Sequence, residues 1–336
     1  MVFRSLRSTT PAARPRYSIS SMSLEPRALE IDDRTSTRTS MGSPRAVRDW
    51  DQHARGEQRE AALASISFFS HTPEDEKPYH LMYGDLSGLP KTNLVRQWRD
   101  TVIKDIRGSE DTLDYDKTGI AIRRLDSRMS YDDFADDARI TGVYYRELEK
   151  FLERLLGAKA VIVFRHCIRK RHPSFPVSIG EKYDFEQPTS IAHVDATALS
   201  TIEELSKHEK RLADAVVGST IKRVQWVNVW KPLRGPVNDW PLAFCDASTV
   251  ETKDLAVTDM VYPTYYTENL SVAYNDDRRW YYLSDHQPDE LIIFKQSDTE
   301  PESLPGVPHT SFSNPSADPA ESPRESIEAR ALVIYT

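Results

Sequence analysis

Arg223-Val-Gln-Trp-Val-Asn-Val-Trp-Lys231 alternates along its length and is rich in valine and tryptophan, the pattern of a β-strand. Residues 241–246, 280–283, 290–296 and 325–335 read as further strands toward the C-terminus. They are separated by turn signals at Gly235-Pro236, Asn275-Asp276 and Pro305-Gly306. On the N-terminal side the pattern changes. Tyr144, Leu148, Phe151, Leu152 and Leu155 form one stripe of a helix over 144–156 that Gly157 stops, and residues 160–168 follow as a buried strand. Ser200-Thr-Ile-Glu203 reads as a capping box opening a second helix to about residue 216. Helices first and many short strands afterwards predict an α+β protein built on a β-sandwich or barrel. Trp226, Asn228 and Trp230 share one face of the opening strand. Packing is the default role for that face and pocket lining the alternative.

Composition bounds the functional classes. The 336 residues carry a net charge of −8, which excludes the basic face that sequence-independent nucleic-acid binding requires. No apolar run is long enough to span a membrane. Two cysteines, Cys167 and Cys245, can build neither a disulfide framework nor a thiolate zinc site, and an intracellular, cytoplasmic setting fits. Residues 1–60 are rich in Ser, Thr, Arg and Pro without periodicity, and are expected to be a disordered tail. Residues 1–24 hold four arginines and no acid, so mitochondrial import is the alternative reading of that segment.

The chemistry-bearing pattern is His193-Val194-Asp195, followed by His309 and then by Arg324-Glu325-Ser326. On a strand, His193 and Asp195 project to one side and can reach one ion, with a third ligand arriving from a distant strand. Two imidazoles and one carboxylate cap one face of an octahedral Fe(II) and leave the opposite positions open. The same period places Arg324 and Ser326 together, a guanidinium and a hydroxyl suited to the far carboxylate of 2-oxoglutarate. Arg330 is the alternative anchor. Arg169, Lys170, Arg171 and His172 read as a solvated loop, or else as a grip on an acidic substrate.

These residues sit in longer matching stretches: Trp230-Lys-Pro-Leu233, Trp280-Tyr-Tyr-Leu-Ser-Asp-His-Gln-Pro-Asp-Glu290, Pro308-His-Thr-Ser-Phe312 and Arg324-Glu-Ser-Ile-Glu328. Together they resemble the fungal gibberellin desaturase-like family, which also contains aspergillic-acid-pathway hydroxylases and a cephamycin-methoxylation relative. The similarity covers roughly residues 115 to 336 and is densest in the last 110 residues. It implies a double-stranded β-helix (jelly-roll, cupin-like) core with flanking helices, occupying 61–336 behind N-terminal helical support. It also implies Fe(II)/2-oxoglutarate chemistry, with O2 as second cosubstrate, in fungal specialised metabolism. The family's His-x-Asp falls on His193 and Asp195, its distal histidine on His309 and its Arg-Glu-Ser on Arg324 to Ser326. Val194 and Ala196 stand where the gibberellin member has Lys and Trp, so diterpenoid specificity does not carry over. The expected substrate is a small molecule, amino-acid-derived or terpenoid, and the outcome hydroxylation, desaturation or ring closure. A zinc-dependent hydrolase or a non-catalytic binding barrel is the alternative that the same triad leaves open.

Overall fold

In the computed structural model the chain is described over residues 61–83, 88–177, 180, 182–216 and 220–336. The expected tail over 1–60 lies outside the described residues. The strands are, in chain order, β1 (Ala62–His71), β2 (Tyr79–Leu81), β3 (Val95–Asp105), β4 (Ile120–Arg124), β5 (Ala160–Lys170) and β6 (His193–Val194). There follow β7 (Arg223–Pro232), β8 (Leu242–Cys245), β9 (Leu255–Val261), β10 (Tyr266–Val272) and β11 (Trp280–Tyr282). The last three are β12 (Glu290–Asp298), β13 (His309–Ser311) and β14 (Glu325–Tyr335). They form a five-stranded sheet in the order β4-β12-β7-β14-β5 and a nine-stranded sheet in the order β1-β3-β11-β8-β13-β6-β10-β9-β2. The curled sheets enclose a jelly-roll core, with few helices, as the resemblance implied.

The five-stranded sheet is covered on both faces. One face meets α1 (Tyr145–Leu156), whose Leu148 and Leu152 pack on Val161, Val163, Val227, Val229, Ile293 and Val333. On the other face Trp230, Ile292 and Phe294 meet Leu242 and Phe244 of the nine-stranded sheet. Burial on both sides is why β7 and β12 read as nearly unbroken runs, all nine residues of β12 being buried. In β1, by contrast, Ala62, Ala64, Ile66 and Phe68 turn inward and Leu63 turns out to solvent.

Three expectations need correction. From Ala62 to Arg124, where helical support is expected, the chain forms β1 to β4 with only single-turn helices between them, and the first helix of length is α1. The cap of α2 (Ala198–Ser206) is Thr197, whose hydroxyl accepts from Ser200 N; Ser200 itself is buried and donates its hydroxyl to Glu268 O. That helix also stops at Lys207, and α3 (Glu209–Ala215) begins anew after His208. Finally, Arg169 and Lys170 are not loop residues but the end of β5, paired with Ser326 and Glu325.

Candidate active site

Two very short strands bring the triad together. β6 pairs with β13 so that His193 lies opposite His309, and with β10 so that His193 lies opposite Ser271. The imidazole rings are 4.4 Å apart, and His193 Nε2 lies 3.6 Å from Asp195 Oδ1. The ligand-capable atoms of His193, Asp195 and His309 all fall within 4.8 Å of one another.

The hydrogen bonds behind these atoms decide which lone pairs face the site. Nδ1 of His193 is 2.8 Å from Ile191 O, and Nδ1 of His309 is 3.4 Å from Val307 O. A carbonyl only accepts, so Nδ1 carries the proton in both rings and each Nε2 is left as a donor to a metal. Asp195 Oδ2 accepts from Asn228 Nδ2 at 2.6 Å and pairs with Arg330 Nη2 at 3.0 Å, which leaves Oδ1 toward the histidines. Trp226 Nε1 donates to Asn228 Oδ1, so the shared face of β7 serves the site as well as the core.

Gln296 ties the two ligand-bearing segments to each other. Its Oε1 accepts from Asp195 N at 2.7 Å, and its Nε2 donates to Val307 O at 3.0 Å. The chain before His309 runs so close to β12 that only glycine fits at 306: a Cβ there would lie 2.0 Å from Gln296 O and 2.4 Å from Val194 Cγ1.

Electrostatics prepare the same set of ligands. Burial opposes ionisation of Asp195, but Arg330 and the two histidines hold its carboxyl well below the usual range. Burial, reinforced by His193, lowers His309 to about 3, so it stays neutral. For His193 burial is outweighed by the hydrogen bond and charge of Asp195, and its pKa rises. The donor set is thus two imidazoles and an ionised carboxylate, which suits a divalent transition metal.

Of the predicted anchors, Arg330 stands beside the triad, bound to Asp195 and to Glu328 at 3.1 Å. Arg324 is different. It is 2% exposed, donates from Nη1 to Trp240 O and lies 5.6 Å from the Trp230 ring. Its Nε has no hydrogen-bond partner, and no ion pair to it occurs among the described residues. Burial, then the charge of Arg169, pull it down to about 9, as expected for a guanidinium without its counter-ion. Ser326 is buried two positions later, at the start of β14. Sequence reading missed Gln296 and Glu328. Glu328 continues the period of Arg324 and Ser326, and its Oε2 lies 3.9 Å from His309 Nε2. Gln296 is an amide within a buried strand, and such a group needs partners.

A cavity of about 980 Å³ opens onto His193, Asp195 and Arg330 and is lined also by Trp226 and Phe164; Arg324 lies outside it. Among the described residues no helix is long and apolar enough to cross a membrane.

Comparison with known proteins agrees with this geometry. A family model described as an oxidoreductase/YMDC permease-like domain matches residues 66–334. The α-ketoglutarate-dependent dioxygenase tstK of Talaromyces stipitatus is 31% identical over 269 residues, 79% of this chain and 92% of its own. The Fe(II)/2-oxoglutarate-dependent dioxygenase nvfI of Aspergillus novofumigatus is 31% identical over 68% of this chain and 81% of its own. The solved structure of the iron- and α-ketoglutarate-dependent endoperoxidase NvfI superposes with a TM-score of 0.70 at 26% identity, covering 82% of this chain and 98% of that one.

Proposed function

This chain belongs to the Fe(II)/2-oxoglutarate-dependent dioxygenases of fungal specialised metabolism, and we propose that His193, Asp195 and His309 hold its iron while Arg324 and Ser326 hold the far carboxylate of 2-oxoglutarate. It is an oxidoreductase acting on a small molecule, and a hydrolase or an inert binding barrel is set aside by that membership. The observation that carries the assignment of the anchor is the buried, unpartnered Nε of Arg324. A desolvated cation without an anion is costly, and a dicarboxylate cosubstrate supplies the anion. Arg330 is already neutralised by Asp195 and Glu328, so it orients the ligand carboxylate instead.

Iron with 2-oxoglutarate and O2 supplies the oxidant that takes hydrogen from substrate. The protein's own residues set what that oxidant meets. Asn228 and Arg330 fix Asp195 from behind, Ile191 O and Val307 O fix the two rings, and Trp226 and Phe164 border the cavity. Whether hydroxylation, desaturation or ring closure follows depends on which substrate carbon the cavity holds near His193. Its volume is at the upper end for small-molecule sites, which favours a terpenoid-sized substrate over a free amino acid.

The test is anaerobic. Protein with Fe(II) and 2-oxoglutarate should develop the visible charge-transfer band of a chelated keto acid. Loss of a charge-assisted pair costs about 1.5–3 kcal/mol, so Arg324→Ala should need on the order of 10- to 100-fold more cosubstrate. Ser326→Ala should need less. A larger defect in Arg330→Ala would move the anchor to that residue.

A further inference from the structure

The cavity has a second wall, built by β2, β3, β9 and β10, which begins beside the triad, where Ser271 lies opposite His193, and runs away from it to β2. Its inward positions include His80 on β2, Arg96 on β3, Thr258 on β9, and Asn269 and Ser271 on β10. This wall is polar, and two of its buried atoms, His80 Nδ1 and Asn269 Oδ1, have no hydrogen-bond partner. Arg96 is half-buried, burial lowers its pKa, and no carboxylate of the described residues pairs with it. Its charge reaches His80, which burial and the charges of Lys91 and Arg96 keep in its neutral form. Two other basic groups of the cavity have anions, Arg330 with Asp195 and Lys207 with Glu204, while Arg165 and Lys182 are exposed to solvent.

Buried polar atoms are almost always paired, and a cation withdrawn from water needs a counter-charge. Three groups on one cavity wall are incomplete, and a single ligand can complete them. A carboxylate accepts from Arg96 and from the ring N–H of neutral His80, while Asn269 Oδ1 takes a hydroxyl or N–H of the same ligand. The paired hydroxyls of Thr258 and Ser271, 2.8 Å apart, leave that role to Asn269.

The sheet also sets a length. From β6 to β2 there are three strand steps, through β10 and β9. At about 4.8 Å per step, His80 stands roughly 14 Å across the strands from His193, and the register sets it a further four residues along them, from Ser271 to Thr267. A free amino acid does not span that distance, whereas an extended or polycyclic acid does. We propose that the substrate is a carboxylic acid whose carboxylate docks on Arg96 and His80, so that the carbon to be oxidised lies at the far end of the molecule, beside His193. This rests on the reading of His193, Asp195 and His309 as the iron site.

The test uses the full chain and a matched pair of probes, biphenyl-4-carboxylate and biphenyl-4-carboxamide. Affinities are measured by calorimetry in metal-free protein and again with Fe(II) and saturating 2-oxoglutarate without O2. The acid should bind on the order of tenfold more tightly than the amide in both states. Arg96→Gln should remove that preference and leave amide binding unchanged, and Arg96→Lys should retain most of it. His80→Leu should reduce the preference by less, which keeps the test open should Arg96→Gln fold poorly. Equal affinities, no binding of either probe, or a preference that survives in Arg96→Gln overturns the proposal. The charge-transfer band separates the two failures. If the band forms but the acid is not preferred, the iron site stands and the carboxylate wall is wrong; an acid preference without the band is the reverse.

Discussion

The five-stranded sheet and the nine-stranded sheet divide the work of this molecule unevenly. The first has long strands buried on both faces and supplies side chains that support the site: Asn228, Gln296, Glu328 and Arg330. The second supplies the triad from a two-residue strand, the residue just after it and a three-residue strand. Strands that short have little stability of their own. Ligand geometry in the weaker sheet is therefore held by contacts from the stronger one, and a change on either side should register at the other.

The sharpest break in that relation is His309→Ala. Turnover, followed as succinate release, should vanish while the thermal midpoint stays close to wild type, because on the proposed assignment the ring is a ligand and not the main support of its strand. Wild-type turnover in this variant would remove the triad. Gln296→Leu should come next. It alters neither ligands nor cavity, yet it cuts both ties between the ligand-bearing segments, and Fe(II) affinity should drop on the order of 10- to 100-fold. An unchanged affinity would show that the short strands position their ligands unaided.

The third prediction concerns the contact between the sheets. His286 is buried against Trp230, and burial lowers its pKa to about 4. A histidine kept neutral in the fold but free to protonate in the unfolded chain stabilises above the unfolded value of 6.5. That stability is lost as pH falls from there toward 4, up to ~3 kcal/mol in all. His286→Gln should flatten the decline in urea midpoint across that window, and a slope equal to wild type would assign the decline to other groups. The smallest effect is expected from deleting residues 1–55, whose composition carries no core: turnover and thermal midpoint should hardly move. A large fall in either would give that segment a part in the scaffold.

The same division explains what was legible in the sequence. Strands of the five-stranded sheet announce themselves because they are buried on both faces and rich in Val, Ile, Leu and Trp. The segment 325–335 coincides with β14, and β7 and β12 extend past their expected ends by one and two residues. In β9 and β10 one face lines a polar cavity, and Thr258, Thr267 and Asn269 stand where a core strand would carry Val or Leu. With Asp259 and Glu268 interrupting the other, more apolar face, the two-residue period is weakened in a hydropathy reading. β3 is hidden for a related reason: only Thr101 and Ile103 are buried along its eleven residues. The triad was readable because it needs only residue types and order. The proposed roles of Arg96 and His80 were not, since nothing in the chain signals that β2 and β3 bring them to one cavity.

The bridge made by Gln296 bears on how fast the enzyme can be loaded. One amide joins Asp195 N to Val307 O, so the segments that carry Asp195 and His309 are held together by a protein side chain. On the proposed assignment, metal uptake should wait for no conformational search, and its rate should follow how quickly the incoming ion sheds its water. Iron lost to a chelator should be regained on that same timescale, without a refolding delay.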